Sequence, residues 1–581
     1  MARFSSILIG NEALLVQCGQ ILLERGHTIS AVVTRTPSIA NWARENGIPA
    51  EQPGRNLAIR LGQTKVDWLF SIANLSLIPE DVLALASRGA INFHDGPLPA
   101  YAGLNAPVWA LLNGERDHGI TWHMITEEVD AGEIVMRQAV TIDDDETAFT
   151  LNAKCFAAAI ESFVPLVETM EAGSLSKEIQ DFSMRTIFAR ADRPAAAGRV
   201  DFNWTADRLT AFVRALNHGD YLNPLTTPKV DLGGLVASIR TAVREPSGEA
   251  APGTVLEVEN DNVLVATIEG SVRLSGLTDA TGRPIDPAKY TKAGATLHAN
   301  DDKDCLTAAM AQAAPRENTV RALLANPVPS DLGLTHPAKE AASVGELPIV
   351  VPAGLDGNRV FGVLAAAALR STGSDAIDFA YAGNPVPCSA GYFSDWVPLR
   401  IAVEGKVTLA ALADYADAQL VRARAHPSFA LDIVLRDPAI VAATVPEVGF
   451  SEARKPGLIF GTAVTLHSSD SGLRLFHDGA RIDTDTAKLL AARIERVAAA
   501  LKDDADITLA SMPILSDHER ELVTRIWNQS EVDYNHDQTM HGAFEEQVTR
   551  TPDAVALVFE DQELRYADLD ARANQVAHVL R

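Results

Sequence analysis

The sequence predicts an α/β chain. Its first part is a mostly parallel sheet with helices on both faces, followed by a small β-barrel and then a second, mixed α+β region. Three observations predict this. Over residues 1–125, short apolar runs alternate with segments of helical spacing, as strand–helix–strand units require. From Pro252 onward, short strand-like runs are separated by the turn pairs Asp261-Asn262 and Glu269-Gly270. The chain has 581 residues, too many for one hydrophobic core, so several domains are expected.

Taken in order, Ile7–Ile9 is a short buried strand closed by Gly10. Leu14, Leu15, Cys18, Ile21 and Leu22 repeat at helical spacing, and Gly26 stands where that helix would stop. Ile29–Thr34 is strand-like, a helix surrounds Trp42 and ends at Gly47, and Trp68–Ile72 is apolar again. Pro79–Ser87 has a helical pattern, Ala90–His94 reads as a strand, Ala106–Asn113 as a helix and Ile120–Ile125 as a strand. After about Thr205 the pattern changes. Asp207–Leu216 reads as a helix, and the strands Thr254–Val258, Val263–Ile268 and Ser271–Leu274 suggest the barrel. The polar, Ala-rich stretch 301–319 reads as a linker, and residues 320–517 as the second mixed region. Met540–Arg581 opens a further domain and stops inside a helical pattern, so the chain reads as a piece of something longer.

Composition excludes several classes. A formal net charge of −26 argues against nucleic acid, whose phosphates need concentrated Lys and Arg. The four cysteines, Cys18, Cys155, Cys305 and Cys388, lie far apart without a CxxC pair. They predict neither a metal site nor a disulfide framework, and suit a reducing, cytoplasmic setting. The opening MARFSSILIG is too short in apolar run for a signal peptide, and no membrane-spanning stretch is read.

The chemistry concentrates in INFHDGPLPAYAGLNAP, Ile91–Pro107. In an extended chain Asn92 and His94 share one side, at the carboxyl end of a strand, where open α/β sheets bind ligands. An amide and an imidazole there can both donate to an oxygen that gains charge as a carbonyl is attacked. A carboxylate is needed to orient the imidazole, and Asp130 offers one on a turn opened by Gly132. Each has a plainer use: His94 closing a strand, Asn92 fixing a loop, Asp130 as a turn residue. Asp95 suits a substrate amine or a turn equally. Tyr101 and Trp109 suit a cleft, though Trp109 suits a core equally. Glu127 and Glu128 read as a solvated edge, and His123 as structural.

Asn92-Phe93-His94, Leu98-Pro99, Gly103, the helix APVWALLNGE and VDAGEIV from Val129 together resemble the formyltransferases that use 10-formyltetrahydrofolate, among them methionyl-tRNA and sugar N-formyltransferases. The resemblance implies a Rossmann-like catalytic domain over 1–205 and a helix plus OB-like β-barrel over 206–300. It implies catalytic roles for Asn92, His94 and Asp130, and 10-formyltetrahydrofolate as cosubstrate, without a metal. The segment Ser71, Ile72, Ala73, Asn74 and Leu75, with Val129 and Gly132, is implied to hold the folate; Asp95, Gly96 and Tyr101 are implied on the amine side. The family often has Ser where Gly96 stands. The loop Ala100-Tyr101-Ala102 lacks the basic residues of the tRNA-specific members, which speaks against tRNA.

The loop is more similar to formyltransferase domains that open nonribosomal peptide synthetases. GYFSDWVPLRI, Gly391–Ile401, resembles part of a synthetase condensation domain, implying a chloramphenicol acetyltransferase-like half domain over 320–517. The chain has no His-His pair, so that half reads as inactive. Residues 533–581 resemble the start of an adenylation domain. Leu232-Gly233-Gly234 resembles a carrier motif, but Val236 stands where the phosphopantetheine-bearing Ser is required. The implied partners are folate, an amine free or tethered to a carrier domain, and downstream adenylation and carrier domains. Two other readings stand beside transfer: a non-catalytic docking module, which Gly96 keeps open, and folate-dependent hydrolysis.

Overall fold

The computed structural model describes residues 2–62, 65–246, 250–297, 302–333, 335, 343–355, 357–534 and 536–581. The boundary expected between residues 300 and 301 lies outside them. The chain divides into two units, Met1–Ile514 and Leu515–Arg581.

The first unit opens with β1 (Ser5–Ile9), α1 (Ala13–Glu24), β2 (Thr28–Val33), α2 (Pro37–Glu45), β3 (Ala50–Glu51), α3 (Leu57–Arg60) and β4 (Val66–Ser71). Then come α4 (Glu80–Leu83), β5 (Ala86–His94), β6 (Ala102–Gly103), α5 (Ala106–Leu112), β7 (Asp117–Met124), β8 (Ile134–Thr141) and α6 (Ala148–Glu171). Seven strands form one sheet in the order β3-β2-β1-β4-β5-β7-β8. The first five are parallel, β7 runs antiparallel to β5, and β8 antiparallel to β7. The expected mostly parallel sheet is therefore present, finished by an antiparallel hairpin.

Local sequence explains the close contacts. Leu14, Leu15, Cys18 and Leu22 put the apolar stripe of α1 into the core, each such side chain contributing about 1.5–3 kcal/mol. A Cβ on Gly19 would stand 2.4 Å from the Trp42 ring, so glycine there lets α2 close on α1. A Cβ on Gly10 would stand 1.9 Å from the Ile72 carbonyl, so glycine lets the ends of β1 and β4 meet. Among the described residues α6 is the one helix long and apolar enough to cross a membrane by length and composition. Here it covers the sheet: Leu151, Cys155, Phe163 and Leu166 are buried in the core, and Trp122 Nε1 donates to Ser162 Oγ at 3.0 Å.

Helix Ala206–Ala215, capped by Thr205, falls one residue from its expected limits. The expected barrel is, among the described residues, a four-stranded antiparallel sheet. Its order is Thr241–Glu245, Ser271–Ser275, Asn262–Ala266, Val255–Glu259, and it is accompanied by a ribbon of Lys229–Asp231 and Val236–Ser238. Val236, set aside as a carrier position, belongs to that ribbon.

The stretch read as a linker is structured. Helix Lys303–Ala313 buries Leu306, Ala309, Met310 and Ala313 against Ala196, Ala197, Tyr392 and Phe393. Cys305 at its start and Cys388 form a disulfide, which corrects the expectation of no disulfide framework; Cys18 and Cys155 are free and buried. Beyond helix Glu317–Ala325 lies a mixed six-stranded sheet, with Val344–Ile349 and Val397–Ala402 at its edges and helices Val360–Thr372, Leu409–Ala425 and Thr484–Asp503 packed in the same region. This is the α+β character expected. Asp432, Arg436, Lys229 and Glu317 form a buried ionic network between this region and the preceding sheet domain. The second unit contains helix Met540–Arg550, the hairpin Val555–Phe559/Gln562–Arg565 and helix Tyr566–Leu580.

Candidate functional site

The carboxyl ends of β4 and β5 lie side by side. Parallel pairing sets Ser71 opposite Asn92, so the predicted folate segment adjoins the predicted amide. Antiparallel pairing sets His123 opposite Asn92 on the other flank, which puts the two side chains on one face. Four non-glycine residues take positive φ around these ends: Ala73 (48°), Tyr101 (59°), Asn105 (62°) and Asp130 (51°). Such conformations cost energy and collect at functional loops.

His94 is 4% exposed. Its Nε2–H donates to the Tyr101 carbonyl at 2.8 Å. That bond fixes the ring and leaves Nδ1 facing Asp130 Oδ2 at 3.6 Å and Asp95 Oδ1 at 3.9 Å. Asp130 Oδ2 also accepts the Gly103 N–H at 2.7 Å, while Oδ1 faces His123 Nε2 at 3.4 Å. Burial pushes the Asp130 carboxyl up; its contacts with His123, His94 and the Gly103 N–H outweigh this, and its pKa falls to about 2. The carboxylate is therefore ionised across the physiological range.

The turn carrying Asp130 is held from behind. Gln180 Nε2 donates to the Asp130 carbonyl at 2.9 Å and to the Gly132 carbonyl at 2.7 Å. A Cβ on Gly132 would stand 1.8 Å from the Met124 carbonyl, so only glycine lets the turn close on β7. Gly132 thus has a packing use whatever else it touches. The strand β9 (Ile187–Phe188) pairs with β6. Phe188 stacks on Tyr101 at 5.7 Å and on Trp109 at 4.6 Å, so Trp109 takes the core packing weighed for it and the Tyr101 ring packs beside it.

Other predicted residues divide clearly. Asp130, distant in sequence from Asn92 and His94, is brought to them: it faces His94 directly, and His123 stands between it and Asn92 Nδ2 at 3.2 Å. Tyr101 contributes its carbonyl rather than its ring. Its hydroxyl donates to Glu115 at 2.6 Å and accepts from Asn113 at 3.1 Å, and burial with the Glu115 bond pushes its pKa to about 12. Ser71 and Ile72 are buried, whereas Leu75 is exposed and its carbonyl accepts from Arg190 at 2.6 Å. Asn74 folds back, its Nδ2 donating to the Ser76 carbonyl at 2.8 Å. The exposed Val129 offers its carbonyl to Arg185 at 2.7 Å. Among the described residues no cluster of His, Cys, Asp and Glu could hold a metal.

Gly96 has a steric use. A Cβ there would stand 2.6 Å from His94 Nε2 and 2.9 Å from the Ala106 methyl. Gly96→Ala is expected to push the ring off the Tyr101 carbonyl and lower turnover on the order of a hundredfold, the usual result of a reacting group displaced by about an ångström. Steady-state rates with circular dichroism as a folding control test this; a variant within twofold of the parent disproves it.

A cavity of about 440 Å³ lies elsewhere, lined by Gln312, Tyr381, Arg424, Glu452 and a proline-rich loop. Its polar groups satisfy one another, Tyr381 and Arg424 both donating to Glu452. It presents no acid–base set comparable to that at Asp130.

Residues 28–167 match the formyl transferase model, and residues 194–294 match the formyl transferase C-terminal domain. The methionyl-tRNA formyltransferase of Thermodesulfovibrio yellowstonii is 27% identical over 314 residues, which are 51% of this chain and 97% of that protein. The N-formyltransferase of Helicobacter canadensis, solved with folinic acid and dTDP-3-aminofucose, is 17% identical. It aligns over 48% of this chain and 100% of its own, with a TM-score of 0.39. HypX from Aquifex aeolicus, solved with tetrahydrofolic acid, is 20% identical over 47% of this chain and 44% of its own, with a TM-score of 0.35.

Proposed function

We propose that this formyltransferase moves the formyl group of 10-formyltetrahydrofolate onto the amine of an amino acid or aminoacyl group during nonribosomal peptide synthesis. The observation that carries the reading is the ionised Asp130 held between His94 and His123, beside Asn92, at the carboxyl end of β5.

When an amine attacks a formyl carbon, the new C–N bond forms as the carbonyl electrons move to oxygen. Asn92 donates an N–H to that oxygen. Asp130 and His94 Nδ1 take the proton the amine must lose, and His94 returns one to the folate nitrogen as its bond to carbon breaks. The segment Ser71–Leu75 lines the folate side, since Ser71 pairs with Asn92. Asp95, 29% exposed and near His94, lies on the amine side.

The synthetase setting rests on the resemblance of Gly391–Ile401 and of Met540–Arg581 to condensation and adenylation segments. The condensation-like region acts as a connector, and the acceptor is a free amino acid or one delivered on a carrier domain, in a cytoplasmic synthetase. Gly96, the departure that favoured a non-catalytic module, makes room for His94.

The test is incubation with 10-formyltetrahydrofolate, with and without an aminoacyl-carrier domain or free amino acids, read by mass spectrometry. A formyl increment on the loaded carrier is the expected result. Formate released without an amine would mean hydrolysis, and absence of folate binding would mean a docking module.

A further inference from the structure

His123 lies opposite Asn92 across β5 and β7, is 2% exposed, and has no use in the reaction as written above. Its Nδ1 is 2.9 Å from the Met124 carbonyl, so Nδ1 carries the proton and donates. In the neutral ring Nε2 then holds a lone pair, and Asn92 Nδ2 lies 3.2 Å from it. We propose that His123 is a positioning residue: by accepting one N–H of Asn92, it fixes the amide so that its second N–H faces the reacting oxygen.

The physical need is plain. An asparagine amide turns about a broad, nearly two-fold torsion, and its two faces have opposite polarity. Turned over, it would present its oxygen to a developing oxyanion and repel it. Beside His123 the turned amide would also press its oxygen against the Nε2 lone pair, so that orientation is disfavoured before substrate arrives. The Met124 carbonyl sets the tautomer, the tautomer sets the amide, and the amide becomes a donor without reorganising during the reaction. Asp130 Oδ1, 3.4 Å from the same Nε2, is the competing partner. A doubly protonated ring would donate to Asp130 and leave Asn92 without its acceptor.

The inference rests on the formyl-transfer reading, so the parent chain is assayed first: no amine-dependent turnover would overturn both. With an active parent, three variants decide. His123→Phe removes the acceptor and His123→Asn keeps polarity but is too short to reach Asn92. His123→Gln restores an acceptor oxygen at similar reach. The Phe and Asn variants are expected to keep about a tenth of kcat or less, short of the hundredfold or more for losing a donor outright, with folate affinity and KM within twofold of the parent. The Gln variant is expected to recover most of kcat. In an Asn92→Ala background, His123→Asn is expected to cost less than twofold, because it acts through that amide. Full kcat in the Asn variant, equal losses in the Asn and Gln variants, or an undiminished loss in the Asn92→Ala background would each overturn the proposal. Should the Phe variant fail to fold, the Asn–Gln contrast carries the decision.

Discussion

Asn92→Ala is expected to lower formyl transfer on the order of a hundredfold or more while leaving 10-formyltetrahydrofolate binding nearly intact. Removing one preorganised donor from a developing oxyanion costs about 3 kcal/mol of barrier. The ground-state carbonyl carries little charge, so its loss falls on kcat rather than on affinity. His94→Ala is expected to behave alike for another reason. His94 is the group whose Nδ1 faces the ionised Asp130 while its Nε2 is committed to the Tyr101 carbonyl. Without it the proton leaving the amine and the proton reaching the folate nitrogen lose their carrier. Single-turnover rates paired with folate titration check both variants. Retained turnover in the two would refute the assignment, and a large loss of folate binding would place these residues in binding rather than chemistry.

The floor of this site was legible in the sequence because strand–helix alternation is a local signal. The runs around Ile7, Ile29, Trp68 and Ile91 each announce their own strand, and the motif spacing carried Asn92, His94 and Asp130. What escaped was set by partners far along the chain. Pro79–Ser87 has a helical look, yet its last two residues belong to β5, where Ala86 pairs with Val66 and Gly89 with Trp68. The sheet neighbour overrides the local preference. Leu306, Ala309, Met310 and Ala313 make one helical face, but alanine carries little apolar signal. The face gains meaning only against Ala196 and Ala197. Cys305 and Cys388 are separated by 83 residues and meet only once the fold brings them together. His123 reads as one more strand residue until β7 is paired with β5, whereupon it stands opposite Asn92. The useful signal was the register, which needs the topology first.

Asp432→Ala is expected to destabilise the first unit by about 3–5 kcal/mol, the usual cost of removing one partner from a buried ion pair. Asp432 is 1% exposed. Its Oδ2 accepts from Lys229 Nζ at 2.7 Å, Thr226 Oγ1 at 2.9 Å and the Thr227 N–H at 2.8 Å. Its Oδ1 accepts from Arg436 Nε at 3.0 Å. Arg436 in turn grips both oxygens of Glu317 at 3.0 and 2.9 Å, and Arg193 and Arg321 stand within 3.3 Å of the same carboxylate. Alanine at 432 would strip a buried ammonium of its counter-charge and leave the Thr227 N–H unpaired. Removing both charges is a different case: Asp432→Leu with Lys229→Met keeps apolar volume and leaves Arg436 on Glu317, so it should cost much less than the single change. Acid supplies an independent check. Burial pushes the Asp432 carboxyl up, but Arg436 and Lys229 more than reverse this and hold it well below the ordinary carboxylate range. A depressed carboxyl contributes stability that is complete above its unfolded value and is lost only as pH falls toward the folded one. The gap in urea midpoint between parent and Asp432→Ala should therefore stay constant from about pH 8 down to about pH 5. A gap that closes over that range, or a single variant no weaker than the double, would show that the network does not join the two regions as described.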